Sequence, residues 1–241
     1  MLLQEDMRWS LENYMKIKYL IPTSEPKDCT ENTIFLDNSF GDSIFKKFNK
    51  GIHLIDDCDT IVFMHDDVTI IDPLFEKKIE MTLNRFPSIA ILGVVGTKVF
   101  NSNGGWWTCD RRTETVGHWM QGHPDGSVTH NVDKIGFSKD IVSVDGCCFM
   151  GHAELFKNGT LKFDSRYIGY HFYDADICIQ AKDKGYDVAV ADILIQHESE
   201  GPLNESWFKN RQMFIDKWTE RGYSFPLTIK SFGGSNEQIC G

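Results

Sequence analysis

The chain has no long run of positive charge. No stretch of Lys and Arg exceeds two residues, and 25 basic against 35 acidic side chains give a net charge of −10. Such a surface suits neither nucleic acid nor an anionic membrane, so neither is expected as the main partner. A phosphate-bearing ligand is not excluded, because a divalent cation can supply positive charge locally. The cysteines number 7, an odd count with no C-x-x-C spacing. Cys58, Cys147, Cys148 and Cys178 lie in or beside apolar segments, which suits reduced core thiols. Nothing approaches the roughly eighteen consecutive apolar residues of a membrane span, so none is expected. The opening Met-Leu-Leu-Gln-Glu-Asp lacks the basic start and apolar core of a secretory signal, which points to a cytoplasmic protein. The sequons at Asn158 and Asn204 are then chance matches. No repeat, low-complexity tract or Pro/Gly-rich linker divides the chain, and residues 1–241 read as one domain.

What the chain does have is a set of short apolar runs that end in polar residues. Ile61 to Met64 form a continuous apolar run that passes directly into His65, Asp66 and Asp67. A run of that kind fits a strand covered on both faces, as in a parallel sheet flanked by helices. The carboxyl end of such a strand is where open α/β sheets hold ligands. Taken alone, Asp66 and Asp67 read equally well as a strand end that caps the next turn. Ile89 to Val95 is a second run of the same type.

Between these runs the pattern turns helical. Ile44, Phe45, Phe48 and Ile52 share one face over residues 43–54. Asp72-Pro73 reads as an N-cap followed by Pro at the first helical position. Helices are also expected from Ile177, after Tyr173 to Asp176, up to a stop at Gly185, and over Trp207 to Arg221 with Gly222 behind it, and residues 1–15 look helical. Strands are expected at Lys16 to Ile21, closed by Pro22-Thr23, and at Thr33 to Asp37, Ile141 to Val144 and Val188 to Ile195. The gap between the first two strands is short for a crossover helix. Either the crossover is irregular, or the first helix is Met7 to Leu20 and the first strand is nearly absent; the former is preferred. Residues 97–140 hold no period and read as a long lid or binding loop. The class is therefore α/β, with a mostly parallel central sheet and flanking helices in a Rossmann-like arrangement.

Six segments, in order, resemble GT-A glycosyltransferases of family-2 type, particularly the bacterial glycosyltransferase-like branch. Ile34-Phe-Leu-Asp37-Asn38-Ser39 resembles the second-strand motif, and Phe48-Asn49-Lys50-Gly51-Ile52 the helix before the metal motif. Phe63-Met-His65-Asp66-Asp67-Val68 resembles a His-x-Asp-Val form of the Asp-x-Asp metal motif. Gly93-Val-Val-Gly96 with Trp106-Trp107, then Val144-Asp145-Gly146, is similar to the acceptor side. Phe172-Tyr173-Asp174-Ala175-Asp176 resembles the segment with the catalytic base, and Gly185-Tyr-Asp-Val with His197-Glu198-Ser199 the last strand and its terminal histidine. The similarity spans residues 30 to 220.

The resemblance implies a metal-dependent, inverting glycosyltransferase that moves a sugar from a nucleotide diphosphate sugar, foremost a UDP-sugar, to a hydroxyl of a carbohydrate or glycoconjugate. It implies a nucleotide-sugar half over about residues 16–96 and an acceptor and catalytic half over about 97–225. It places Asp67 at a Mn²⁺ or Mg²⁺ site, with His65 as a further ligand, a ribose contact or a packing residue and His197 as a metal or diphosphate contact, and Asp174 as general base. It places Thr23, Asp37, Asn49, Asp66, Asp145, Trp106 and Trp107 among the substrate-binding candidates. Tyr173 stands where the family more often has Glu. Either Asp174 or Asp176 could cap the helix they begin; since one suffices, the other carboxylate is left for chemistry. Arg111 and Arg112 are candidates for phosphate contacts, whereas His118, His123 and His130 fit no zinc spacing and read as polar surface. The alternative is a nucleotide-sugar or carbohydrate-binding module that kept the fold and lost turnover, a reading favoured by His65 in the metal motif and by the short first crossover. A metal-dependent hydrolase would call for H-x-H or H-E-x-x-H, and the chain has neither.

Overall fold

In the computed structural model, residues 15–25, 30–38, 41, 43–198 and 203–232 are described, the side chain of Trp106 excepted. The helix expected over residues 1–15 lies almost wholly outside them. The chain opens with β1 (Ile17–Thr23) and β2 (Thr33–Asp37), followed by helix α1 (Ile44–Leu54), β3 (Thr60–Met64), β4 (Val68–Ile70) and α2 (Phe75–Arg85). Next come β5 (Ile89–Gly93), β6 (Val95–Thr97), β7 (Val99–Phe100), β8 (Thr115–Gly122) and β9 (Val128–Val132). The second half holds β10 (Ser143–Val144), β11 (Cys148–His152), α3 (Ala153–Lys157), α4 (Tyr173–Asp183), β12 (Asp187–Val190), β13 (Ile195–His197), α5 (Glu205–Glu220) and β14 (Leu227–Thr228).

The central sheet runs in the order β12-β5-β11-β3-β1-β2. All of its neighbours are parallel except for β11, which lies antiparallel between β3 and β5. Every residue of β3 and of β5 is buried, as their unbroken apolar runs require. One layer of core lies under α1 and α4, where Phe48, Phe63, Phe149 and Phe163 pack ring against ring, the Phe48 and Phe63 centroids 4.9 Å apart. The other layer lies under α2 and includes Val62, Ile79, Leu83 and Leu92. Helix α1 approaches the sheet closely at Gly51, where a Cβ would sit 3.0 Å from Leu20 and Leu36 side-chain carbons. The described cysteines, Cys58, Cys109, Cys147, Cys148 and Cys178, are free thiols, and all but Cys58 are buried. Among the described residues no helix is long and apolar enough to cross a membrane.

Several expected elements are redrawn. β1 is a full strand whose Tyr19 pairs with Thr33 of β2, so the alternative in which the first strand is nearly absent does not hold; part of the crossover lies outside the described residues. The Asp72 carboxylate accepts the Leu74 N–H at 2.9 Å as an N-cap would, while the helix proper begins at Phe75. Residues 97–140 are not one long loop: β8 and β9 form an antiparallel hairpin inside a second sheet of order β10-β6-β8-β13-β4. The expected strand Val188 to Ile195 is two strands, β12 in the central sheet and β13 in the second. β11 has no counterpart among the expected elements.

Candidate functional site

Antiparallel insertion of β11 brings two loops to one place. Cys148 lies opposite Met64, so β11 starts where β3 ends, and the His65 N–H donates to the Cys147 carbonyl at 2.9 Å. Residues 145–147 thus lie beside residues 65–67. The second sheet adds a third strand end, because β13 pairs antiparallel with β4 and sets His197 opposite Val68. The Glu198 N–H then reaches the Asp67 carbonyl at 3.1 Å.

From these strand ends His65, Asp67 and His197 converge. His197 Nε2 lies 3.4 Å from Asp67 Oδ1, and His65 Nδ1 lies 3.8 Å from the same oxygen. One ligand atom from each residue falls within 4.8 Å of the others. The two imidazoles are held differently. Burial pushes the His65 imidazole towards its neutral form, and the facing His197 adds to this. Burial has the same sense at His197, but the adjoining Asp67 and the charge of Asp145 outweigh it and favour its protonated form. His197 Nε2 is buried and has no hydrogen-bond partner among the described residues. A buried imidazole nitrogen that meets a carboxylate oxygen only at ion-pair distance, 3.4 Å, keeps capacity for a further ligand. Two imidazoles and one carboxylate form a donor set that first-row divalent cations accept, so these residues fit a metal.

Next to the cluster, helix α4 presents its first turn. Asp174 is half-buried and accepts the Gly146 N–H at 3.0 Å and the Ala175 N–H at 2.8 Å. Burial, together with the charge of Asp145, raises its carboxyl to about 7. A carboxyl poised there suits proton transfer near neutral pH. Asp145 in turn accepts the Cys147 N–H at 2.7 Å. Tyr173 is buried, and its hydroxyl lies 2.6 Å from His65 Nε2. Asp176 points the other way. It is 1% exposed and takes hydrogen bonds from Trp218 Nε1 at 3.0 Å and from Lys217 Nζ and Gln180 Nε2 at 2.8 Å each. It therefore ties α4 to α5 and takes no part in capping.

All these groups except Asp176 line, or lie on, a cavity of about 640 Å³. Asp66, Asp67, Asp145, Asp174, Trp107, His65 and His197 are in its wall, as is Arg111. Arg111 pairs with Asp133 at 3.0 Å and lies over the Trp119 ring. Trp107 is 47% exposed at the rim, on a short turn of 3₁₀ helix. Thr23, Asp37 and Asn49 are not in that wall. Thr23 closes β1 in a buried position, with Pro22 beside it in the wall. Asp37 is exposed at the end of β2, one residue before Asn38, which does line the cavity. The Asn49 amide donates to the Phe163 carbonyl at 2.7 Å and so ties α1 to the segment before α4. Among the remaining histidines, His118 pairs with Asp192 at 3.0 Å and lies beside the tilted ring of His130 on the hairpin, the centroids 5.6 Å apart.

Sequence reasoning passed over Trp119, Gln121, Tyr170, Phe172 and Trp207, all of which line the cavity. Trp119 and Gln121 come from β8, which pairs Gln121 with His197. Their signal was available: Pro124-Asp125-Gly126 between two runs is a hairpin turn. In the structure Asp125 Oδ1 accepts the Ser127 N–H at 2.9 Å, and Gly126 has a φ of 80°.

Residues 1–221 match the model of the Glycosyltransferase like family. Among solved structures, GalNAc-T7 with UDP, GalNAc and Mn²⁺ aligns over 85% of this chain with a TM-score of 0.55 at 8% identity. That match covers 48% of the other chain, so this chain spans about half the length of that structure. The likeness shows the fold, a GT-A glycosyltransferase fold with a central sheet and flanking helices. A197 from STIV aligns over 77% of this chain and 87% of its own, at 12% identity with a TM-score of 0.46. No curated protein matches the sequence.

Proposed function

Because the chain belongs to the Glycosyltransferase like family, we propose that it transfers a sugar from a nucleotide diphosphate sugar to an acceptor hydroxyl, with inversion and with a divalent cation. The observation that carries this reading is the convergence of His65, Asp67 and His197 with Asp174 in one cavity at the carboxyl edge of the sheet. His65, Asp67 and His197 would hold the cation. When bound, Mn²⁺ or Mg²⁺ supplies Lewis-acid stabilisation of the charge that develops on the leaving diphosphate. UDP and Mn²⁺, both present in the GalNAc-T7 structure, are the first donor nucleotide and cation to test.

Asp174 accepts the proton of the acceptor hydroxyl. The acceptor oxygen then bonds to the anomeric carbon as the carbon–oxygen bond to the diphosphate breaks, which inverts that centre. The Gly146 and Ala175 N–H groups hold the carboxylate in place, and burial keeps its proton affinity near neutrality. Asp145 contributes negative charge that raises the basicity of Asp174, and the rim residue Trp107 offers an aromatic face to a sugar ring. Pro22 and Asn38 line the end of the cavity towards β1 and β2, where the nucleoside would lie, and Thr23 and Asp37 adjoin them in sequence. Trp106 is assigned to acceptor binding on the resemblance alone, while Asn49 sits too far into the α1 packing to be given a substrate contact. The donor half is residues 16–96 and the acceptor half 97–225.

The test is release of UDP from a panel of UDP-sugars with Mn²⁺, with and without EDTA, across sugar acceptors. Metal-dependent release supports the proposal. Calorimetric binding of donor with no release would favour the inactive module, and neither binding nor release across the panel would overturn both.

A further inference from the structure

Tyr173 stands immediately before the base on helix α4, yet its hydroxyl reaches the metal cluster. It lies 2.6 Å from His65 Nε2, so the opposite ring nitrogen, Nδ1, is the one that faces Asp67. Three features hold the phenol there. Its ring is 3% exposed and packs among Phe45, Phe48 and Phe149. It lies against Gly146, where a Cβ would come within 2.2 Å of the hydroxyl oxygen. The preceding residue, Phe172, has a φ of 72°, and it is the one non-glycine residue with positive φ among those described. A bulky aromatic in the left-handed region is strained and persists only where its surroundings impose it. Here that turn sends two consecutive side chains, Tyr173 and Asp174, towards the same cavity.

Resting on the metal cluster proposed above, we propose that Tyr173 is a positioning residue that fixes the ring orientation and tautomer of His65. With the proton on Nε2 donated to the Tyr173 oxygen, Nδ1 keeps its lone pair for the cation beside Asp67. A ligand histidine whose second nitrogen donates to a fixed acceptor is held in this way in metal sites generally. A phenol suits the role because it both donates and accepts. It can donate to Nε2 while Nδ1 carries the proton, and accept from Nε2 once Nδ1 binds the ion. Neither state leaves a buried ring nitrogen orphaned. Because Tyr173 and Asp174 are consecutive on one strained turn, the same backbone segment sets both the metal ligand and the base.

The experiment compares wild type with Tyr173→Phe, which removes one hydroxyl and keeps the packed ring. Mn²⁺ affinity is measured by calorimetry, and the fold by circular dichroism and thermal melting. Loss of an outer-shell partner is expected to weaken Mn²⁺ binding by roughly ten- to a hundred-fold, with the melting temperature near wild type. Separately, nitrogen–proton NMR correlations of the wild-type histidine rings, with Zn²⁺ as a diamagnetic probe, are expected to show His65 protonated at Nε2. Unchanged Mn²⁺ affinity in a folded Tyr173→Phe variant overturns the inference, as does a Zn²⁺-bound His65 protonated at Nδ1. Should the variant fail to fold, the wild-type NMR result decides. If wild-type protein binds no divalent cation, the cluster reading falls and this inference with it. If sugar transfer is absent but the Mn²⁺ effect and the tautomer are as expected, only the functional reading falls.

Discussion

Asp174 and Asp145 lie on either side of one glycine: Gly146 donates its N–H to Asp174 at 3.0 Å, and burial together with the Asp145 charge raises the Asp174 carboxyl to about 7. Asp174 works as a base only when ionised, so kcat/KM for transfer is expected to climb with pH through the neutral range. Asp174→Asn should lower the rate by roughly 10²–10⁴-fold, the usual contribution of a positioned base. The measurement is a pH–rate profile of both proteins with saturating metal. A wild-type profile flat from mildly acidic to mildly alkaline pH, or near-normal turnover in the variant, would remove Asp174 from the base role.

The same raised carboxyl has a signature that needs no substrate. An unfolded Asp titrates near ~3.9, whereas the folded one titrates at about 7. Between those values the native state holds a proton that the unfolded state has released, so stability falls as pH rises through the window. Below it the cost is absent, and above it the cost is complete. Asn carries no such proton, so Asp174→Asn should gain stability relative to wild type between pH ~5 and ~8, on the order of 1–3 kcal/mol for a half-buried group. Thermal melts in EDTA at those two pH values check it; a difference that does not change with pH would mean that the carboxyl is not raised.

These two carboxylates also show what a sequence can and cannot reveal. The unbroken apolar runs of β3 and β5, the stripe of α1 and the glycine stop of α4 each follow from local pattern, and the structure has all of them. The strand ends that carry His65, Asp67, Asp145 and His197 were legible for the same reason. β11 was not. Cys148 to His152 is too short to show a period, and its antiparallel place between β3 and β5 is decided by distant partners. Local pattern could not show that residues 145–147 belong beside residues 65–67. The hairpin was missed because the outer strand β9 is mostly exposed and carries no apolar alternation, although its turn was plain. With the hairpin went Trp119 and Gln121, which only its pairing with β13 brings to the cavity.

Asp176 sharpens the distinction between two carboxylates separated by one residue. It is fully enclosed by Trp218, Lys217, Gln180 and Tyr167. Asp176→Ala would leave the Lys217 ammonium with a missing partner and Trp218 Nε1 with no acceptor. Lys217 keeps Asp164 at 3.0 Å as a partner, so the cost is on the order of 2–3 kcal/mol, below that of an uncompensated buried charge. The expected outcome is a large drop in urea midpoint, against the pH-dependent gain predicted for Asp174→Asn. A small loss of stability with a large loss of transfer would instead place Asp176 in the chemistry.

Cation preference follows from the donor set at the cluster. Mg²⁺ favours oxygen ligands and keeps its waters, whereas imidazole nitrogen suits transition ions better. Two histidines and one aspartate should therefore bind Mn²⁺ more tightly than Mg²⁺, with EDTA abolishing both binding and transfer. His197 brings a buried ring nitrogen to the site, and it is held against Asp67 at 3.4 Å by β-pairing that does not depend on its ring. His197→Ala should consequently leave the fold intact while weakening Mn²⁺ by more than the roughly 10–100-fold that losing an outer-shell partner costs. Calorimetric titration of Mn²⁺ and Mg²⁺ into both proteins measures this. Equal affinity for the two ions, or Mn²⁺ binding untouched by the substitution, would mean that the cation is held by oxygen ligands alone and that His197 only ends its strand.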